Sequence, residues 1–281
     1  MICFMFPGQP LSFITSLPDD PDFTAVARIA EERTYLDLDT LAWTKGELTE
    51  NVKLQVYGAA MSLYRNRLLL REGNSPDIIA EHSMGIYSAL AVCGAITEAD
   101  ALELVYRIGV SLAGMGKGKA YSLGCVIGLT LEPLSAIAGN NGVFLANFNT
   151  SRHFLLSGTA SAMEEAMSEA LAGGAFSAKA FPCDAPLHSP LMEELLPSLD
   201  EICGEYCYRE PEIPILEHIG QKRLSAAEMA SFMARELCLP VYWEKTYLAL
   251  KASGVGRFVE VGSGDSLKKY NRWIDNEYRP G

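Results

Sequence analysis

Between Asp77 and Cys93 the chain passes from a short apolar strand into a helix with almost nothing in between. Asp77–Ala80 reads as a buried strand, and Met84–Cys93 reads as a helix that starts immediately after it. Strand, tight turn, helix is the grammar of a parallel sheet covered by helices, because each crossover must return to the same edge direction. The flanks agree. Ile2–Phe6 is strand-like and stops at Pro7-Gly8. Leu54–Leu70 carries Leu54, Ala59, Leu63, Leu68 and Leu69 at helical spacing and is stopped by Gly73-Asn74-Ser75-Pro76. The expected class is α/β with a parallel sheet.

The middle of the chain has another pattern. Ser122–Gly128 predicts a strand, Glu132–Gly139 a helix, Val143–Asn147 and His153–Ser157 two strands around a polar turn, Ser161–Ala172 a helix and Ala178–Phe181 a strand. That β-α-β-β-α-β order predicts a small ferredoxin-like subdomain. It is expected over 120–186, inserted in a large domain formed by 1–119 and 187–281. After Pro190 the pattern is helical until a last strand at Arg257–Val261 and the turn Gly262-Ser263-Gly264.

Composition removes several function classes. With 281 residues, 49% hydrophobic and 21% charged, the chain can bury a large core. A formal charge of −12 argues against a nucleic-acid binder, which needs a basic field. No apolar run is long enough to span a membrane, and the start MICFMFPGQP lacks the basic flank of a signal peptide. Seven cysteines, an odd number scattered through apolar segments, fit reduced thiols and a cytoplasmic location. Cys203 and Cys207 lie one helical turn apart with no second pair nearby, so no metal site is expected.

Chemistry is expected first at Glu81-His82-Ser83-Met84-Gly85. A serine between a strand and a helix can sit on a nucleophile elbow, with its hydroxyl exposed beside the N–H groups of the helix start. Gly85 would let the helix pack close to the strand; Glu81 stands where the usual elbow has a small residue. Serine is also a preferred N-cap, so the pentapeptide alone leaves capping open. A serine nucleophile needs a base within reach. Of the four histidines, His188 lies in a loop bracketed by Pro186 and Pro190, where the subdomain rejoins the main domain. A rigid loop at a junction suits a base, and a merely packed histidine is the alternative.

Taken together, Phe6-Pro7-Gly8-Gln9, His82-Ser83-Met84-Gly85 and His188-Ser189-Pro190-Leu191-Met192 resemble the malonyl-CoA:acyl carrier protein transacylases and the acyltransferase domains of fatty acid and polyketide synthesis. The likeness continues at Leu145–Asn149 with Ser157-Gly158, at Leu237–Trp243, and at Val259–Gly264, in family order. The resemblance implies an α/β-hydrolase-like core with a ferredoxin-like insertion, in agreement with the pattern above. It implies a ping-pong reaction in which Ser83 takes an acyl group from acyl-CoA, His188 takes its proton, and the phosphopantetheine thiol of an acyl carrier protein receives the acyl group. Acyl-CoA is then a substrate, with no bound cofactor. The resemblance also implies a backbone carbonyl within Glu236–Pro240 that orients His188, and an oxyanion hole built from the N–H groups of Gln9 and Met84. Asn147, Asn149 and Gln55 match polar residues of the family cleft, although hairpin asparagines and a helix-surface glutamine would look the same.

Several positions depart from that pattern. Malonyl-specific members hold the free carboxylate with an arginine just before the helix glycine; here Leu104-Val105-Tyr106-Arg107-Ile108-Gly109 puts Ile108 there. Arg107 is one residue off, about 100° around the helix. A buried carboxylate without a partner is costly, so a neutral acyl group is expected. Ile86 replaces a polar residue after the elbow glycine, and Leu187 stands where Phe or Ser is common, so both extend the apolar pocket with Ile108. Pro10 follows Gln9, and Glu81 puts a carboxylate beside the nucleophile. Two further readings stay open: a thioester hydrolase acting on carrier or CoA, and a catalytically weak carrier-binding scaffold. Lys268, Lys269 and Arg272, or Lys117 and Lys119, offer local cations for an acidic carrier, unless they are solvated faces.

Overall fold

The computed structural model describes residues 1–14 and 16–278. The chain opens with β1 (Ile2–Phe6), α1 (Pro21–Thr34), the small hairpin β2 (Leu36–Asp37) and β3 (Ala42–Trp43), and the long α2 (Glu50–Arg71). Next come β4 (Ile78–Glu81), α3 (Gly85–Val92) and α4 (Glu98–Met115). The middle is β5 (Tyr121–Ile127), α5 (Leu131–Asn141), β6 (Phe144–Thr150), β7 (His153–Thr159), α6 (Ala160–Ala172) and β8 (Ser177–Cys183). The last part is α7 (Leu196–Gly204), β9 (Ile215–Leu216), α8 (Ala226–Arg235), α9 (Trp243–Ala252), β10 (Arg257–Glu260) and α10 (Ser266–Glu277).

Four strands form a parallel sheet in the order β10-β1-β4-β9. β1 is buried from Cys3 to Phe6, and all of β4 is buried, because helices cover both faces. On one face Phe4, Phe6 and Ile79 join residues of α2, α3 and α4 in the main core. On the other, Cys3, Met5, Ile78 and Ala80 pack on Trp243, Tyr247, Leu250, Leu267 and Ile274 of α9 and α10. This alternation along β1 and β4 is the two-residue period of a strand buried on both sides.

The second sheet is antiparallel, in the order β6-β7-β5-β8. Val126, Phe154 and Leu156 pack there against Leu134 and Ile137 of α5 and Met163, Ala166, Met167 and Ala170 of α6. This sheet is joined to the main body beyond its two chain connections. Phe148 N–H donates to the Val241 carbonyl at 2.8 Å, and Val241 N–H donates to the Ala146 carbonyl at 2.9 Å. The segment leading into α9 is therefore pinned to β6.

α1, the β2–β3 hairpin and β9 lie outside the pattern read from sequence. The region after Pro190 is not wholly helical before β10. β9 has two residues and exists through its pairing with β4, Ile215 opposite Ile79 and Leu216 opposite Ala80. A strand that short has no period to read. No helix among the described residues is long and apolar enough to cross a membrane, and all seven cysteines are unpaired.

Candidate active site

Ser83 follows β4 directly and holds φ +54°, a left-handed conformation uncommon for a side chain other than glycine. Two neighbours impose it. His82 N–H donates to the Phe6 carbonyl at 3.0 Å, which keeps the strand end in the sheet. Gly85 N–H then donates to the His82 carbonyl at 3.1 Å and Ile86 N–H to the Ser83 carbonyl at 3.0 Å, starting α3 at once. A Cβ on Gly85 would overlap the Phe6 carbonyl oxygen, so only glycine lets α3 lie this close to β1. The result is a sharp turn with the Ser83 side chain at its tip.

His188 reaches that tip from 105 residues away: its Nε2 is 2.7 Å from Ser83 Oγ. It too holds a left-handed backbone, φ +56°. Ser189 Oγ donates to the Pro186 carbonyl at 2.6 Å and locks the loop around the histidine. His188 Nδ1 faces two carbonyl oxygens, Leu239 at 3.1 Å and Glu236 at 3.2 Å. Two acceptors at Nδ1 require the proton there, so Nε2 is the lone-pair nitrogen that faces the Ser83 hydroxyl. Burial first, then His218 and His82, push His188 down to about 3, so the ring is neutral and ready to accept a proton at neutral pH.

His188, His218 and Glu236 each bring one potential ligand atom to within 4.8 Å of the others. The Nδ1–H of His188 occupies the position where a metal would need a lone pair, so the trio is poorly arranged for an ion. Next to Ser83, the N–H groups of Met84 and Gln9 have no acceptor among the described residues. Gly8 packs so close that an added Cβ would lie 3.1 Å from His82 Nδ1 and 3.7 Å from Ser83 Cβ, which brings the Gln9 backbone beside the serine.

The acyl transferase domain family matches this chain over residues 20–267. The chain belongs to that family. It is 28% identical over 290 residues to the malonyl CoA-acyl carrier protein transacylase of Bacillus subtilis (strain 168), covering 96% of this chain and 90% of that protein. It is likewise 28% identical to the transacylase of Escherichia coli (strain K12), covering 94% and 89%. Among solved structures, a malonyl-transacylase in complex with a type II polyketide synthase acyl-carrier protein superposes with a TM-score of 0.89 at 26% identity, over 98% of this chain and 93% of that one. The malonyl-CoA:acyl carrier protein transacylase of Xanthomonas oryzae gives 0.88 at 25% identity, over 98% and 91%. This acyl transferase is thus of the malonyl-CoA:acyl carrier protein transacylase type, with a mixed α/β fold and a parallel sheet.

The remaining positions expected from sequence fall into two groups. Gln9 and Gln55 meet: Gln55 Nε2 donates to Gln9 Oε1 at 3.1 Å, and Gln9 Nε2 donates to Asn51 Oδ1 at 3.2 Å. Asn51 and Thr49 in turn donate to Asp184, at 3.3 and 2.5 Å, four residues before His188. This polar line ties the end of β1, the start of α2 and the histidine loop together. Asn51, Thr49 and Asp184 carry no recognisable motif and were not legible in sequence.

Asn149 stands behind the elbow, on β6. It is fully buried. Its Oδ1 accepts from His82 Nε2 at 2.9 Å and its amide donates to His153 Nδ1 at 3.0 Å. These two bonds brace the elbow from β6. Ile108 and Ile86 are buried in the main core, and Leu187 is partly buried against it. Arg107 points outward and forms a two-pronged pair with Glu205, both contacts 2.8 Å.

Glu81 does not crowd Ser83. Its carboxyl turns to His218, with Nδ1 at 2.6 and 2.8 Å and the His218 backbone N–H at 3.0 Å. His218, which belongs to no motif in the sequence, is thus part of the site's surroundings. The signal was available: a charged residue at the end of a buried strand requires a buried partner.

Proposed function

We propose that this chain is a serine acyltransferase that moves an acyl group from CoA to the phosphopantetheine thiol of an acyl carrier protein by a ping-pong route. The observation that carries this reading is the 2.7 Å contact of Ser83 Oγ with His188 Nε2, in a histidine whose tautomer is set by two carbonyls. Ser83 attacks the thioester carbon as its proton passes to His188. The C–S bond then breaks, and His188 returns the proton to the leaving CoA thiolate. The carrier thiol repeats the same steps on the acyl-serine ester. The Met84 and Gln9 N–H groups hold the oxyanion at each tetrahedral stage, worth roughly 3 kcal/mol per donor.

The acyl group is neutral on this reading. Ile108, at 1% exposure, supplies no cation, and Arg107 is already paired with Glu205 outside the core. A dicarboxylate half-ester would bury an unpaired charge. The transacylase relatives bear malonyl in their names; the difference here lies in acyl choice, not in the chemistry of Ser83.

The core is read as α/β-hydrolase-like and the 120–186 unit as ferredoxin-like, inserted between 1–119 and 187–281. The antiparallel order β6-β7-β5-β8 supports the second assignment. A carrier partner is supported by the carrier complex of the related transacylase. Lys268, Lys269 and Arg272 on α10 and Lys117 and Lys119 after α4 are the candidate cations for it, although Lys269 pairs with Asp265 and Lys119 lies 3.6 Å from Glu194.

The reading is tested by steady-state kinetics with acetyl-CoA and a holo-acyl carrier protein. Parallel double-reciprocal lines are expected of an acyl-serine intermediate. Intersecting lines, which require both substrates bound at once, would overturn it.

A further inference from the structure

Behind His188 the interior holds a row of ionisable groups that the reaction as described does not use. Glu81, His218 and Glu236 are all fully buried, each at 0% exposure. Glu81 holds His218 through its Nδ1 and its backbone N–H. His218 Nε2 lies 3.7 Å from Glu236 Oε2, and that same oxygen lies 3.8 Å from His188 Nδ1. His218 Nε2 and both Glu236 carboxyl oxygens have no hydrogen-bond partner. Buried polar atoms are nearly always satisfied, so a set of three orphans facing one another calls for a reason.

We propose that Glu81, His218 and Glu236 are positioning residues that form a buried acid–base row and supply negative charge to the imidazolium of His188. The inference rests on the Ser83–His188 reading above and deepens it. In the resting state His218 Nδ1–H donates to the Glu81 carboxylate, and the Glu236 carboxyl proton faces His218 Nε2. When Ser83 gives its proton to His188 Nε2, His218 Nε2 and Glu236 Oε2 close from 3.7 Å to hydrogen-bond distance, and Glu236 gives its proton to His218. The row then alternates in sign: Glu81 negative, His218 positive, Glu236 negative, His188 positive. Each buried charge has an opposite neighbour within 4 Å or less of it. No proton is lost from the row, and both return when His188 protonates the departing thiolate.

The titration properties support this arrangement. Burial, and then Glu81, hold Glu236 well above the usual carboxylate range, so it keeps a proton to give. Burial raises Glu81 as well, and what sets it apart from Glu236 is its donors: the backbone N–H and Nδ1–H of His218 both point at its oxygens and favour the carboxylate, whereas the Glu236 oxygens have none. Burial drives His188 down, which is the deficit a nearby anion would offset. The groups that face Glu236 are Glu81, His188, His218, Tyr87 of α3, Cys203 of α7 and its neighbour Cys238. Glu217 also faces Glu81 and His218, and His82 faces His188 and His218. None of them carries a permanent positive charge that would cancel the row.

The test is the pH dependence of inactivation by a fluorophosphonate, which reports the Ser83–His188 pair whatever acyl group the enzyme prefers. Glu236→Gln and Glu81→Gln keep shape and remove charge. In each, the acid limb of the inactivation rate moves to lower pH, by about one unit, because a histidine without its anion is a weaker base. The plateau rate falls as well. A lower plateau with an unmoved limb in the folded variants would reduce the row to scaffolding and overturn the proposal. Imidazole nitrogen NMR of the wild-type protein gives a reading without substitution: the proposal requires His218 to gain a proton when phosphonylated Ser83 leaves His188 protonated. A His218 signal that does not move would also overturn it. Failure of the wild-type protein to react at Ser83 would instead reject the active-site reading itself.

Discussion

Ser83 and His188 both hold left-handed backbones, φ +54° and +56°, and their side chains meet at 2.7 Å. Each strained residue sits on a short turn whose ends are fixed: the elbow by β4 and α3, the histidine loop by Pro186 and the Ser189 hydroxyl. Backbone strain of this kind is held in place by the surrounding structure and aims a side chain that relaxed backbone would turn away.

Replacing Ser83 separates activity from stability. Ser83→Ala is expected to abolish acyl-enzyme formation, read by intact mass after exposure to acyl-CoA. Ser83→Gly is equally inactive but about 1 kcal/mol more stable than Ser83→Ala, since glycine accepts positive φ without strain. Urea unfolding of the two variants measures the difference. Equal stability would mean that the turn carries no strain.

Ile108→Arg is expected to raise loading of malonyl relative to acetyl by about tenfold or more, the value of a charge-assisted hydrogen bond to the free carboxylate. Competition between malonyl-CoA and acetyl-CoA, followed by mass, gives the ratio. An unchanged ratio would remove Ile108 from the acyl pocket.

Gly85→Ala is expected to cost about 3 kcal/mol, because its methyl group meets the Phe6 carbonyl and neither α3 nor β1 has room to retreat. A drop of this size in the urea midpoint, with activity lost in parallel, is the expected result. A neutral substitution would contradict the close packing of α3 on β1.

Acid should destabilise the protein below pH 6.5. His82, His153 and His218 are pushed down to about 4 and His188 to about 3, burial being the first cause in each. These rings stay neutral in the folded chain while the unfolded chain protonates them from pH 6.5 downward. Their stabilisation is complete above that pH and is lost as it falls toward the folded values, at about 1.4 kcal/mol per ring and pH unit. Glu81 and Glu236, raised by burial, act in the opposite sense: they favour the folded state at low pH and lose that as pH rises above 4.5. Between 4.5 and 6.5 the two carboxyls offset two of the rings, which leaves a net fall in stability. Urea midpoints at pH 7, 6 and 5 should decline in that order, and a flat series would contradict the burial of these rings.

The parallel strand-turn-helix at Ser83 and the Pro-bracketed loop at His188 were legible because local chemistry marks both. The β-α-β-β-α-β order was legible because each of its elements is long enough to show a period. What joins them was not. Glu236 and Leu239 meet His188 from 48 and 51 residues away, in a segment whose Val241 is paired with β6, and Asn149 on β6 meets His82 at the end of β4, in the other sheet. Local pattern does not encode such distant meetings. Glu81 stood out in sequence as a departure, yet its meaning depends on His218, 137 residues away. His218 follows β9, a strand created by pairing with β4 and not by its own pattern.

The central claim is that Ser83 carries a neutral acyl group from CoA to a carrier. Intact-protein mass after brief exposure to a panel of acyl-CoAs, malonyl against neutral chains, tests it most directly, with and without a holo-acyl carrier protein. A neutral-acyl adduct on Ser83 that persists in water and passes to the carrier thiol is the predicted result. An adduct that decays in water without passing to the carrier, labelling by malonyl in preference to neutral chains, or no labelling by any of them would contradict it.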